Sequence, residues 1–335
     1  MISMGIFKVC VVGAGIVGLT TALEIQSTFP SADVCLIADQ FNEATTSDGA
    51  AGLFRPGISF CGPDLQITKK WIKDSYTYYN DLISDECGIK EIGGYIFSST
   101  SKSNVQNHLL EDVVPIYRPA TNGELKLCPG QWQYGSYFTT LLVECRRFLP
   151  WALNRFKNNG GRVVKKLIQS FDEIPGDFDV IMNCTGFGAK YLCKDIKMVP
   201  IRGQVIKVKA PWLQTFYYGD YDTYIIPGFE GNVTLGGCRN FDSYDVSLSR
   251  YDRAAIMERC CSLVPELSAA PVVREWVGLR PHRDPVRVHF EKLANKKIVH
   301  NYGHGGYGVT SAPGTAKHAV SILLKALSSS ANSKL

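Results

Sequence analysis

What the sequence lacks narrows its class before any motif is read. Eleven cysteines are present, yet no Cys-x-x-Cys pair occurs, so neither a zinc ribbon nor a thioredoxin-type centre is supported. The cysteines are odd in number and spread along the chain, and no small-residue cleavage site follows the first apolar stretch. Buried free thiols in a reducing compartment are the expectation, the adjacent Cys260 and Cys261 included. No metal site is expected. Blocks of like charge are missing as well. The net charge is a mild +5 with Lys and Arg scattered, which argues against a nucleic-acid surface. No membrane span is expected, because the most apolar stretch contains glycines, two threonines and Glu24. Repeats are absent. A chain of 335 residues, 45% of them hydrophobic, has room for two structural units, or for one α/β unit with an inserted domain.

What is present begins with Lys8 to Asp39. Val9-Cys10-Val11-Val12 reads as a buried strand, Leu19 to Gln26 as a helix, and Val34-Cys35-Leu36-Ile37 as a second strand. Between strand and helix stands Gly13-Ala14-Gly15-Ile16-Val17-Gly18, and Asp39 follows roughly 20 residues after the last glycine. Gly13 permits a tight turn, Gly15 permits a pyrophosphate to approach the backbone, and Gly18 permits close packing of helix on strand. The helix N-terminus offers free N–H groups to phosphates. The pattern predicts adenine-dinucleotide binding. A packing glycine pattern without a ligand, and a nicotinamide dehydrogenase, remain open on these residues alone.

Further along, Thr45-Thr46-Ser47-Asp48-Gly49-Ala50-Ala51-Gly52 is a hydroxyl-rich loop placed to hold phosphate or ribose. Trp71 to Leu82 reads as an amphipathic helix, and Gly94–Ser98 and Phe138–Val143 read as strands. Pro150 is expected to open a helix that stops near Asn159-Gly160-Gly161. Phe178 to Gly186 reads as a strand running into a glycine turn. Ile201–Val208, Thr223–Gly228 and Asn232–Gly237 read as strands, with a tyrosine-rich connection between Trp212 and Thr223 that could cover a site as a mobile loop. Trp276 to Pro281 is expected to be a strand ending on the cation Arg280. Ile298–Tyr302 leads into the glycine loop Gly303-His304-Gly305-Gly306-Tyr307-Gly308. The last three residues, Ser333-Lys334-Leu335, match a peroxisomal address, so recognition by the import receptor is expected.

Taken together, Val11–Gly15, Ala38–Phe41, Thr45–Asp48, Asn183–Gly186, Arg202–Val205, Tyr224–Gly228, Val277–Pro281 and Asn301–Gly308 resemble the D-amino-acid oxidase family over nearly the whole chain. Within it the resemblance is strongest to the branch that oxidises acidic D-amino acids. It implies an α/β fold in which an FAD-binding Rossmann-like domain (1–54, 142–198 and 283–335) interleaves with a mixed-sheet substrate domain (55–141 and 199–282). It implies FAD as cofactor, oxygen as acceptor, and oxidative deamination of D-aspartate or D-glutamate by hydride transfer to flavin N5.

The resemblance also implies site residues. Arg280 and Tyr224 match the pair that grips the substrate α-carboxylate, and Arg239 matches a cation near the substrate side chain. Gly306 and Arg55 complete the expected substrate contacts, with Arg55 standing where relatives carry no charge. The implied cofactor contacts are Gly13, Ala14, Gly15, Ile16, Val17, Gly18, Asp39, Gln40, Thr45, Thr46, Ser47, Ala51, Gly52, Leu53, Ile168, Thr185 and Gly186. At the C-terminal side they continue with Gly305, Gly306, Tyr307, Gly308, Val309 and Thr310. Two departures stand out. Asp220 occupies a position where neutral-substrate oxidases carry tyrosine, and Tyr217 occupies one where acidic-substrate oxidases can carry arginine. An oxidase of neutral D-amino acids and an inactive flavin-binding protein are the alternatives. Oligomeric state has no signature in the sequence.

Overall fold

A computed structural model describes residues 7–332. Helix α1 (Ile16–Thr28) lies between β1 (Lys8–Ala14) and β2 (Asp33–Phe41). Helix α2 (Leu65–Asn80) leads to β3 (Ile89–Ser98), β4 (Tyr117–Pro119) and β5 (Tyr134–Val143). Next come α3 (Cys145–Asn158), β6 (Arg162–Lys165), β7 (Val180–Asn183) and the single-turn α4 (Ala189–Leu192). A strand-rich segment holds β8 (Val199–Lys209), β9 (Phe216–Tyr218), β10 (Tyr224–Pro227), β11 (Asn232–Gly236) and β12 (Asn240–Phe241). The described chain ends with α5 (Arg250–Leu263), β13 (Val272–Leu293), β14 (Lys296–His304) and α6 (Gly308–Asn332).

All these strands join one sheet, ordered β4-β5-β3-β9-β10-β11-β8-β13-β14-β7-β1-β2-β6, with β12 paired to β8 off that path. From β14 to β7, β1, β2 and β6 every pairing is parallel. Such strands are covered on both faces and need continuous apolar sequence. Val9, Cys10 and Val11 of β1 are accordingly fully buried. One face packs on α1, α2, α3 and α6, and the other on Ile168, Phe171 and Ile174. The rest of the sheet is antiparallel except where β9 runs beside β3.

Strand β13 joins the two parts. Its first half pairs with β8 as far as His282↔Val199; it meets β14 at His282↔His304 and again from Arg287↔Tyr302 on, with a register shift between those two. The expected boundary at 282/283 falls at this shift, inside a continuous strand, and the one at 141/142 falls inside β5. The sheet therefore passes between its parts without a linker. Helix starts follow side-chain chemistry. Asp64 caps α2 by accepting from the Ile67 N–H at 2.8 Å, and Ser249 caps α5 by accepting from the Asp252 N–H at 3.1 Å.

Three expectations need correction. Pro150 does not open its helix: α3 begins at Cys145, and Pro150 lies one turn inside it. The burial of Phe148, Leu149, Ala152 and Phe156 on one face outweighs the single N–H that proline removes. The strand of Arg280 does not end there but runs on to Leu293. The 212–223 connection is not all loop, because Phe216–Tyr218 pairs with both β3 and β10. Residues 212–215 and the turn at 219–223 remain outside a strand.

Candidate active site

A cavity of about 810 Å³ opens at the carboxyl ends of the parallel strands and extends toward the antiparallel part. This is the crevice position at which open α/β sheets bind ligands. Ala14, Asp39 and Gln40, Ile168, and Thr185 and Gly186 line it from β1, β2, and the segments after β6 and β7. Gly13 turns the chain at φ +106°, and a Cβ there would lie 2.4 Å from the Cys184 carbonyl oxygen. The Ile16 N–H, at the start of α1, donates to Ser47 Oγ at 3.1 Å. That bond ties the glycine turn to the hydroxyl-rich loop.

Gly15, Ile16, Val17, Thr45, Thr46, Ser47, Ala51, Gly52 and Leu53 line the same cavity, as do Gly305, Gly306, Tyr307, Gly308, Val309 and Thr310. Gly18 is a correction to the expected cofactor contacts, since it does not line the cavity. A Cβ on it would lie 1.8 Å from the Gly13 oxygen, so its work is packing. Asp48 points away from the cavity. Its carboxylate, 1% exposed, accepts from Arg146 Nε and Nη2 at 3.0 Å each and from Arg274 Nη1 at 2.9 Å. Asp48 thus pins the loop to α3 and β13 while its neighbours face inward.

The opposite wall is basic. The Arg280 guanidinium lies over Gly203, where a Cβ would meet its central carbon at 2.3 Å. It donates to the Cys238 carbonyl at 3.0 Å and has no carboxylate partner among the described residues. Tyr224 packs its ring on Gly236 and Gly237. Burial raises its hydroxyl above the ordinary tyrosine range, partly offset by Arg280, so the phenol stays a donor. Arg239 pairs through Nε with Asp222 Oδ1 at 3.0 Å. Arg55 stacks its guanidinium 4.7 Å from the centre of the Tyr218 ring, and its Nε is buried without a hydrogen-bond partner. Gly306 lies beside the Arg280 stem.

Neither His304 nor His300 is placed as a base. Burial pushes His304 down to about 3, and its Nε2 meets Thr315 Oγ1 at 2.9 Å. His300 is pushed down to about 4 by burial and then by Arg287, and it is bonded to Glu291 and Asn183. Both rings are neutral near pH 7. Among the cavity residues that escaped sequence reasoning are Tyr218 under Arg55, Asp222 on Arg239, and Trp276 packed over Gly49. Only the tyrosine-rich run signalled the first. Asp222 and Trp276 act through contacts across the fold that no local pattern carries.

The glycine cradle and the long cavity suit an extended dinucleotide, and comparison with known proteins names the class. A family model described as DAO, FAD dependent oxidoreductase, matches residues 8–322. D-aspartate oxidase of Homo sapiens is 38% identical over 326 residues, 94% of this chain and 94% of that protein. D-amino acid oxidase of Dugesia ryukyuensis is 32% identical, covering 95% of this chain and 99% of its own. Among solved structures, glycine oxidase from Bacillus cereus ATCC 14579 superposes with a TM-score of 0.79 over 95% of both chains at 15% identity, a likeness of fold. With the family model spanning both parts of the sheet, the chain belongs to the DAO family of FAD-dependent oxidoreductases.

Proposed function

We propose that the chain oxidises acidic D-amino acids, D-aspartate foremost and D-glutamate second, to the 2-oxo acid, ammonia and hydrogen peroxide. The observation that carries this reading is the meeting of Arg280, Arg239 and Arg55 with Tyr224 on one cavity. The 38% identity to a protein named D-aspartate oxidase points the same way.

The glycine turn, Asp39, the 45–53 loop and the 305–310 segment hold FAD in this account. Bound FAD supplies a two-electron acceptor that oxygen regenerates. The chain itself supplies orientation and charge. Arg280 forks onto the substrate α-carboxylate, and the Tyr224 hydroxyl donates to the same group. That pair fixes the α-carbon against the cofactor side of the cavity. The cations beyond it receive the distal carboxylate. A neutral side chain would leave a desolvated guanidinium unpaired, so discrimination falls on substrates without a second acid. This account needs no side chain to take a proton from the α-carbon, and His304 is engaged by Thr315.

The parallel part of the sheet carries the cofactor in this reading, and the antiparallel part carries the substrate. Ser333-Lys334-Leu335 lies outside the described residues. We assign it to peroxisomal import, where peroxide is a tolerable product. A fluorescent fusion ending in this tripeptide should collect in peroxisomes, and deletion of Leu335 should disperse it. A second reading, oxidation of neutral D-amino acids, is favoured by the Asp222 carboxylate already seated on Arg239. Peroxide release from purified, FAD-loaded protein given D-aspartate, D-glutamate, D-alanine and L-aspartate separates the two. The same panel, with no release from any D-amino acid, would indicate a flavin-binding protein without activity.

A further inference from the structure

We infer that Arg55, and not Arg239, is the guanidinium that receives the distal carboxylate. This rests on the acidic-substrate reading above and assigns the acid-selecting role within it. The two cations differ in what already holds them. Arg239 is 45% exposed and gives Nε to Asp222. Asp222 is itself tied down, because its carbonyl accepts from the Gly237 N–H at 2.8 Å. The Tyr307 hydroxyl faces the same guanidinium. A substrate carboxylate arriving at Arg239 meets a like charge already in place and must displace or share with it.

Arg55 has no such occupant among the described residues. Its Nε is buried and lacks any acceptor, although the residue lines the cavity. An incoming carboxylate therefore pairs with the cavity-lining guanidinium without displacing another acid. The carboxylate of Asp220, on the nearby turn, is spent elsewhere, on Ser98 Oγ, Ser99 N and Ser99 Oγ at 2.9, 2.9 and 2.6 Å. The face of Tyr218 holds the Arg55 plane in position. Tyr218 in turn packs on Tyr224 with ring centres 5.6 Å apart. The receptor for the second acid is therefore coupled through the Tyr218 ring to the tyrosine proposed to grip the first.

The test uses FAD-loaded protein and two non-reacting probes, succinate and propionate, which are aspartate and alanine without the amino group. Their binding is read from the change in flavin absorption, with D-aspartate and D-alanine kinetics alongside. Arg55→Gln should weaken succinate by at least about tenfold, raise the D-aspartate KM, and leave propionate within about twofold, as expected for loss of a charged hydrogen-bond partner. Arg239→Gln should weaken succinate by less than about threefold. Arg55→Lys, which keeps the charge and loses the fork, should fall between wild type and Arg55→Gln, and it replaces that variant if Gln fails to retain FAD. A succinate loss in Arg239→Gln as large as in Arg55→Gln, or larger, overturns the inference while leaving the acidic reading intact. Wild-type protein that binds propionate and not succinate overturns both.

Discussion

Arg280 is the residue on which substrate binding turns in this account. Among the described residues its guanidinium hydrogen-bonds to backbone carbonyls, of Cys238 and at longer range Arg202. Arg280→Gln should lower kcat/KM for every substrate by roughly a hundredfold, about 3 kcal/mol, the scale of truncating one partner of a buried charged pair. Tyr224→Phe removes one neutral donor and should cost about 1 kcal/mol, read as a severalfold rise in KM. Both residues were legible in the sequence, because each sits in a compact motif. Asp222 was not. Its pairing with Arg239 joins a turn to the segment after β11, and only the folded sheet brings them together. Arg55 was legible as a cation near the rim. Its stacking on Tyr218 and its unmatched Nε were not, since both depend on where β9 runs.

At the scale of the element, the 45–53 loop is the part most open to test. It reaches the cavity because Asp48, buried beneath it, draws Arg146 of α3 and Arg274 of β13 together. Asp48→Asn keeps the shape and removes the charge. It should lower stability by about 2 kcal/mol, less than a fully buried pair would lose because both arginines are partly exposed. It should also release FAD more readily, measured as free-flavin fluorescence after dilution. Elements with strong apolar continuity, such as β1 and β2, could be read directly from the chain. Those governed by distant partners could not. Pro150 looked like a boundary because local rules treat proline so, yet the buried face of α3 carries the helix through it. Arg280 looked like a strand end because nothing nearby announces that β13 changes partners from β8 to β14.

The whole molecule couples these parts through one sheet and one cavity. That coupling includes histidines folded in neutral form. His300 and His304 sit near 4 and 3, below the ordinary 6.5 of an unfolded chain, chiefly because burial penalises their charge. Between those values and pH 6.5 the unfolded state binds more protons than the folded one. Stability should therefore fall as pH drops below about 6.5, by up to about 1.4 kcal/mol per pH unit for each histidine, and be flat above it from this source. Urea unfolding at pH 7.5, 6 and 5 checks the slope, and His300→Asn should reduce it. The parallel start of the sheet was legible from the glycine motif and the strands that flank it. The absence of a linker between the two parts of the sheet was not, because a strand shared by two neighbours leaves no break in composition. The central claim, that the basic wall selects a second carboxylate, is met most directly by comparing kcat/KM for D-aspartate and D-alanine on the FAD-loaded protein through oxygen uptake. The account predicts a preference for D-aspartate of at least about a hundredfold; equal turnover, or a preference for D-alanine, would contradict it.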